Sequence, residues 1–292
     1  MTALRPTELA RLVTRACLLE VSAPKPGNVA PGGPFRHMNY EDFRVSAEAI
    51  GPELGQAGVR PLGETILAAV RATRGRTRAN TNLGIILLLT PLARAAAIAS
   101  SRALRDALAR VLGETTVEDA RQVYQAIRET NPGGLGRAEA QDVAGEPEVS
   151  LREAMRLAAD RDLVAAEYAA DYQITFGLGA PALARARQDG LDWDAAIVEA
   201  FLVLLADQPD TLIARKLGLD AAAAVSQEAG EVLRSGGVRS AGGRQAVAAF
   251  DAALRDAQNT RNPGTTADLV AAAVLVELLQ ETLPAPRTRR AQ

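Results

Sequence analysis

Apolar residues in this 292-residue sequence recur every three or four positions and nowhere alternate with polar ones over a sustained stretch. That is the spacing of one-sided helices, not of half-buried strands. Residues 7–22 put Leu9, Leu12, Val13, Ala16 and Cys17 on one face, and residues 193–206 do the same with Ile197, Ala200, Phe201, Leu204 and Leu205. A third apolar segment, 265–283, ends at Pro284, which cannot continue a helix. Only 3% of residues are aromatic, so sheet-favouring side chains are scarce and a core must be built from small ones. The expectation is an all-α protein: one compact domain over residues 1–284, of roughly ten or more helices at ordinary helix length. Residues 285–292 follow as a solvated basic tail carrying Arg287, Arg289 and Arg290.

Charge and cysteine usage narrow the function classes. A net charge of −2 offers no broad basic face for nucleic acid. One cysteine, Cys17, forms no internal disulfide and fits a reducing, cytoplasmic setting. Arg5 and Pro6 come where a secretory leader would have its apolar run. The apolar stretch from Leu83 to Leu92 is about half of a membrane span and reads as a buried helix. Helices rich in Ala, Leu and Val fit a homodimer interface or a buried core equally well. His37 is the sole histidine, which removes multi-histidine metal sites from consideration.

The chemistry has to lie in five polar interruptions, at residues 24–40, 74–84, 131–147, 207–218 and 259–268. In the first, two prolines flank Lys25 and Gly27 permits positive φ, so a rigid loop presents a cation suited to an anion. Read alone, this is equally a common Pro-Gly turn with a surface charge. In the second, Arg78 and its neighbours run into Asn80 and Thr81, either of which can cap the following helix, whose free N–H groups attract anions. Asp210 can cap the helix after it, or it and Asp207 can serve as general base or ligand of a nucleotide-bound Mg²⁺. Gly264 and Thr265 can hold phosphate through backbone N–H groups, with Asp268 as either the third residue of a capping box or a catalytic carboxylate. His37 is a candidate base. Capping boxes are also expected at Thr115 with Glu118 and at Ser150 with Glu153.

Taken in order, these segments resemble the triphosphoribosyl-dephospho-CoA synthase family. The resemblance rests on Pro24 to Gly27, then Met38, Glu41, Asp42, Phe43 and Ser46, then Asn80, Thr81 and Gly84. It continues through Gly136 to Ala140, Asp210 with Thr211 and Arg215, and Pro263, Gly264, Ala267, Asp268 and Leu269. It implies an all-helical enzyme that takes ATP, with Mg²⁺, and joins its triphosphoribosyl group to a hydroxyl of dephospho-CoA, releasing adenine. Lys25, Arg78 and Arg215, three cations next to Gly- or cap-type backbones, are expected to hold the polyphosphate, with Gly27, Asn80, Thr81, Gly84, Thr211, Gly264 and Thr265 around them. Asp210, Asp207, Asp268 and His37 are the catalytic candidates, and Asp210 is also the metal candidate.

The sequence departs from the family pattern where Asn82 and Leu83 stand in place of His-Lys and where Asn28, Val29 and Ala30 lack an aspartate. It departs again where His37 replaces an aspartate and Leu212 an asparagine. Losing charge at such positions is not conservative, and it implies a changed acceptor, a changed donor or lost activity. The rival to an enzyme is a nucleotide-binding protein that keeps the anion loops without the catalysis.

Overall fold

The computed structural model describes residues 4–77, 79, 81–99, 103–132 and 136–283. Among them are fourteen α-helices and no strand, with only two isolated bridges, Ala30 to Gly33 and Phe35 to Met38. In chain order these are α1 (Pro6–Ser22), α2 (Tyr40–Gly55), α3 (Leu62–Arg74), α4 (Leu83–Ile98) and α5 (Leu104–Gly113). Then come α6 (Val117–Thr130), α7 (Leu151–Arg156), α8 (Leu163–Ala169), α9 (Ala180–Gln188) and α10 (Trp193–Asp207). The chain closes with α11 (Thr211–Leu217), α12 (Leu219–Arg234), α13 (Ala241–Leu254) and α14 (Gly264–Thr282). No described helix is long and apolar enough to cross a membrane. The expected basic tail and the candidates Arg78 and Asn80 lie outside the described residues.

The helical stripes bury as their spacing requires. The α1 and α10 faces read from the sequence are inside one connected core that also takes in most of α4 and α14. Those two helices are apolar on nearly every side, so they can be satisfied only when surrounded. Leu, Val, Ile and Ala make up almost all of that core, with Phe201, Phe250, Tyr168 and Tyr172 its aromatic side chains.

The two tyrosines answer a problem created by α4. Pro91 sits inside that helix and has no N–H to give the carbonyl of Leu87 four residues back. The Tyr168 hydroxyl donates to the Leu87 carbonyl at 2.7 Å, and the Tyr172 hydroxyl to that of Leu88 at 2.9 Å. Burial pushes both phenols well up, which keeps their protons in place as donors. Tyr168→Phe, which removes one donor and leaves a buried carbonyl bare, is expected to cost about 1–3 kcal/mol in urea unfolding. An unchanged midpoint would mean that water or backbone relaxation serves Leu87 equally well.

Three capping expectations shift. The box opening α6 is Thr116 with Asp119, one residue later than expected, because the Thr115 hydroxyl is already donated to the Leu112 carbonyl at 2.9 Å. Asp119 does double duty, its second oxygen accepting the Gly63 N–H of α3 at 2.8 Å. Ser150 does cap α7, accepting from the Glu153 N–H, but Glu153 turns to Arg156 instead of closing the box. At α14 no box forms: Pro263 is the N-cap, the Thr265 hydroxyl meets that of Thr211 at 3.2 Å, and Asp268 faces away into a cleft.

Candidate functional site

A cleft of about 1260 Å³ opens among these helices, and all five polar segments contribute to its wall. The loop after α1 supplies Asn28 and the stretch Phe35 to Met38, and the start of α4 supplies Thr81 to Gly84. The segment after α6 gives Arg137 and Asp142, α11 gives Leu212, Arg215 and Lys216, and the approach to α14 gives Asn262 to Asp268. The departures from the family pattern at Asn28, Val29, His37, Asn82, Leu83 and Leu212 all lie on this wall.

The start of α4 is open to an anion. Asn82 is its N-cap but makes no capping hydrogen bond, since its amide donates to the Thr73 hydroxyl at 3.2 Å. Thr81, expected as a cap, instead pairs its hydroxyl with that of Ser46 at 2.6 Å. The first N–H groups of a 16-residue helix therefore face the cleft without a side-chain acceptor among the described residues, where the positive end of the helix favours negative charge.

Lys25 is not a cleft cation. It is 1% exposed, and its three ammonium protons are taken by the Glu20 carboxylate at 2.9 Å, the Glu20 carbonyl and the Ala23 carbonyl at 3.2 Å. It is a clamp that turns the chain out of α1. Gly27 likewise serves packing. Its φ is +70°, its N–H goes to Asp251 at 2.7 Å, and an added Cβ would lie 2.9 Å from Leu254. Asn262 locks the same turn from below by donating to the Gly27 carbonyl at 2.7 Å. The loop is rigid, as its prolines indicate, but its charge points inward.

Asp210 is a cap and a strut. It is fully buried. One oxygen accepts the N–H groups of Leu212 at 2.9 Å and Ile213 at 3.1 Å. The other accepts the N–H of Thr266 at 2.7 Å and its hydroxyl at 2.8 Å. With all four lone-pair positions occupied, the carboxylate has no vacancy for a metal or for an acceptor proton. Burial raises its pKa and the four donors oppose that. Asp207, at the exposed end of α10, is bonded to the Gln208 amide and lies off the cleft. Thr211 is buried beneath it, accepting the Leu163 N–H at 3.3 Å.

Of the catalytic candidates, Asp268 and His37 reach the cleft. His37 is exposed at its mouth, on the bridged loop before α2. Asp268 lies deeper, and among the described residues nothing hydrogen-bonds to its carboxylate. The reason it fits is Gly84: a Cβ there would stand 2.0 Å from Asp268 Oδ2, so only glycine lets the first turn of α4 approach this carboxylate. Burial pushes the Asp268 pKa well up. The nearby charges of Glu20, Asp210 and Asp162 add to the effect, and Arg215 opposes it.

Arg215 projects from α11 into the cleft and pairs with Asp162 at 2.9 Å, whose other oxygen caps α8. Its Nε is buried without a partner among the described residues, so the guanidinium keeps donor capacity for a ligand. Exposed cations Arg36, Arg128, Arg137, Arg161 and Lys216 stand around the rim. Glu20, Asp162 and the rim arginines escaped the sequence reading. Glu20 and Arg128 sit inside helical patterns, where a single charge reads as a solvated face, and Arg36 and Arg137 lie in polar loops whose charges had no assigned role.

No described group of three or more His, Cys, Asp or Glu side chains is arranged to hold a metal ion. A nucleotide-borne Mg²⁺ draws most of its ligands from phosphate and water, and the filled oxygens of Asp210 leave it no coordination site.

Similarity to known proteins can be set beside this geometry. A model of the family described as ATP:dephospho-CoA triphosphoribosyl transferase (CitG) matches residues 6–287. A 2-(5''-triphosphoribosyl)-3'-dephosphocoenzyme-A synthase from Pectobacterium atrosepticum is 30% identical over 280 residues, 89% of this chain and 85% of that protein. A relative from Azotobacter vinelandii, named a probable synthase of the same kind, is 32% identical over 108 residues, so the match spans 37% of this chain and 36% of that protein. Among solved structures, one from Archaeoglobus fulgidus, provisionally named a triphosphoribosyl-dephospho-CoA synthase, superposes with a TM-score of 0.64 at 26% identity. That match covers 80% of this chain and 97% of the other.

Proposed function

The chain belongs to the ATP:dephospho-CoA triphosphoribosyl transferase family, and we propose that it moves the triphosphoribosyl group of ATP onto a hydroxyl of dephospho-CoA or a related cofactor precursor. In that reaction the bond from ribose C1′ to adenine breaks and the acceptor oxygen bonds to C1′. The observation that carries the reading is one cleft joining Asp268, whose carboxylate has no hydrogen-bond partner among the described residues, to the N-terminus of α4 and a cationic rim. Its 1260 Å³ exceeds the roughly 300–1,000 Å³ of a site for one small molecule, as a transfer between two large substrates requires.

Roles follow from placement. The open start of α4, Arg215 and the rim cations suit the triphosphate, since charge-assisted bonds to phosphate are the strong ones. Asp268 is the carboxylate that handles the acceptor hydroxyl, a part that the occupied oxygens of Asp210 leave to it. Calorimetry with ATP is expected to show binding that Arg215→Ala weakens by roughly ten- to a hundredfold, the worth of one charge-assisted hydrogen bond. Adenine and a coupled product of the right mass should appear when ATP and dephospho-CoA are both supplied.

The departures at Asn82, Leu83 and Leu212, all on the wall, favour a second reading in which the acceptor differs or catalysis is lost. ATP binding without adenine release, whatever hydroxyl-bearing acceptor is offered, would select the non-catalytic nucleotide-binding protein. Release with an acceptor other than dephospho-CoA would select a changed substrate.

A further inference from the structure

A buried carboxylate and a half-buried one, from different helices, reach this cleft in opposite electrostatic company. Glu20, in the last turns of α1, is 3% exposed and still contributes to the cleft wall. Its Oε1 is fixed by Lys25 at 2.9 Å, and Lys25 is in turn held by the Glu20 and Ala23 carbonyls. Asp268, on α14, has no cation bonded to it among the described residues. The helices that carry the two acids pack against each other. Cys17, one turn before Glu20, registers both, its thiol pushed up first by burial and then by Glu20, with a further contribution from Asp268.

We propose that these residues form a divided carboxylate pair. Glu20, held by Lys25, faces the positive charge that develops at ribose C1′, while Asp268 carries the proton given to the departing adenine. The inference rests on the transfer reaction proposed above. In the first half, the C1′–N bond breaks, its electron pair leaves with adenine, and the Asp268 proton moves to the purine. In the second, the acceptor oxygen bonds to C1′ and gives its proton to the Asp268 carboxylate, which restores the starting acid. Nothing else is consumed.

The division has a physical cause. Two acids whose surroundings differ in this way take different roles, the one with a counter-cation as the anion and the one without as the acid. The charged groups around Asp268 are Glu20 from α1, Asp162 before α8, and Asp210 and Arg215 at α11. Burial of the site and three acids outweigh Arg215 and the positive end of α4 beside Gly84, which favours the protonated form of this half-buried group. Gly84 sets the position of Asp268 by leaving its oxygens room against α4. Lys25 sets that of Glu20 without entering the cleft.

The test measures kcat/KM for adenine release against pH, with ATP and the acceptor that supports turnover, in wild type and Glu20→Gln. The variant is expected to bind ATP yet react at least roughly 100-fold more slowly, the usual loss when one electrostatic partner of a transition state is removed. Its alkaline limb should move to lower pH, because Asp268 loses a like-charged neighbour that favours its protonated form. A merely structural Glu20 would move that limb without the loss of rate below it. Should the lone Lys25 ammonium prevent folding, Lys25→Met combined with Glu20→Gln removes both charges and should fold with the same slow rate. A folded variant with the wild-type rate, or with an unmoved limb in Glu20→Gln, overturns the pair alone. Wild type that releases no adenine at any pH overturns the transfer reaction itself and these roles with it.

Discussion

Lys25→Ala is expected to destabilise the protein by roughly 3–5 kcal/mol, the range seen when one partner of a buried ion pair is removed. The cost comes mainly from what remains. Glu20 is 3% exposed, and without the ammonium its carboxylate has neither water nor a counter-charge, while the carbonyls of Glu20 and Ala23 lose a donor. Those carbonyls lie where the chain leaves α1, so the loop that carries Asn28 and Val29 onto the cleft wall should loosen with them. Urea unfolding followed by circular dichroism measures the loss. Lys25→Met with Glu20→Gln should recover part of it, because a neutral pair leaves no bare charge behind. A cation that served only a polyphosphate would behave in the opposite way: Lys25→Ala would melt like wild type and lose affinity for ATP.

That reversal shows where sequence reading stops. Two prolines and a glycine around Lys25 specify a stiff loop, and the loop is stiff. Which way its charge points depends on Glu20, five residues back on a helix whose pattern reads as plain amphipathic. The helices themselves were legible because burial follows a period that the sequence displays. α1, α10 and α14 end within a residue of where their apolar residues put them, whereas α4 starts at Leu83 as expected but runs past Leu92 to Ile98. Cap assignments were less so, since Thr115 and Thr116 are both good caps, and the choice turns on the Leu112 carbonyl at the end of the preceding helix. Convergence of the five polar segments on one cleft was legible because each interrupts or starts an apolar helix and all of them share the resemblance to one family. Within the site, the roles of Asp210 and Asp268 were indistinguishable in sequence, each being an aspartate near a helix start. What separates them is tertiary. Thr266 reaches Asp210 from the start of another helix and fills its remaining oxygen, whereas Gly84 makes room beside Asp268 and supplies no donor.

Asp268→Asn should therefore uncouple stability from activity. The side chain is nearly the same size, so it fits beside Gly84, but it can neither give nor take the proton. Adenine release is expected to fall by about 10²–10⁴-fold, the usual worth of a positioned acid or base. Stability should move the other way at neutral pH. Burial and the neighbouring acids push the Asp268 pKa well above its ordinary value, so over the interval from about 3.9, the unfolded value, up to the folded one, the native protein holds a proton that the unfolded chain has lost. Unfolding then releases protons, and the stability contributed by this group is lost as pH rises through that interval. Asparagine has no such loss. The variant should melt above wild type at pH 7 to 8, and the gain should shrink as pH approaches about 4, below which both states of the wild-type residue are protonated. Calorimetric melting across that range, paired with chromatographic assay of adenine, reads both effects on the same samples. A variant that melts lower than wild type at neutral pH and still releases adenine at the normal rate would make Asp268 another structural carboxylate, and the cleft would then need a different acid.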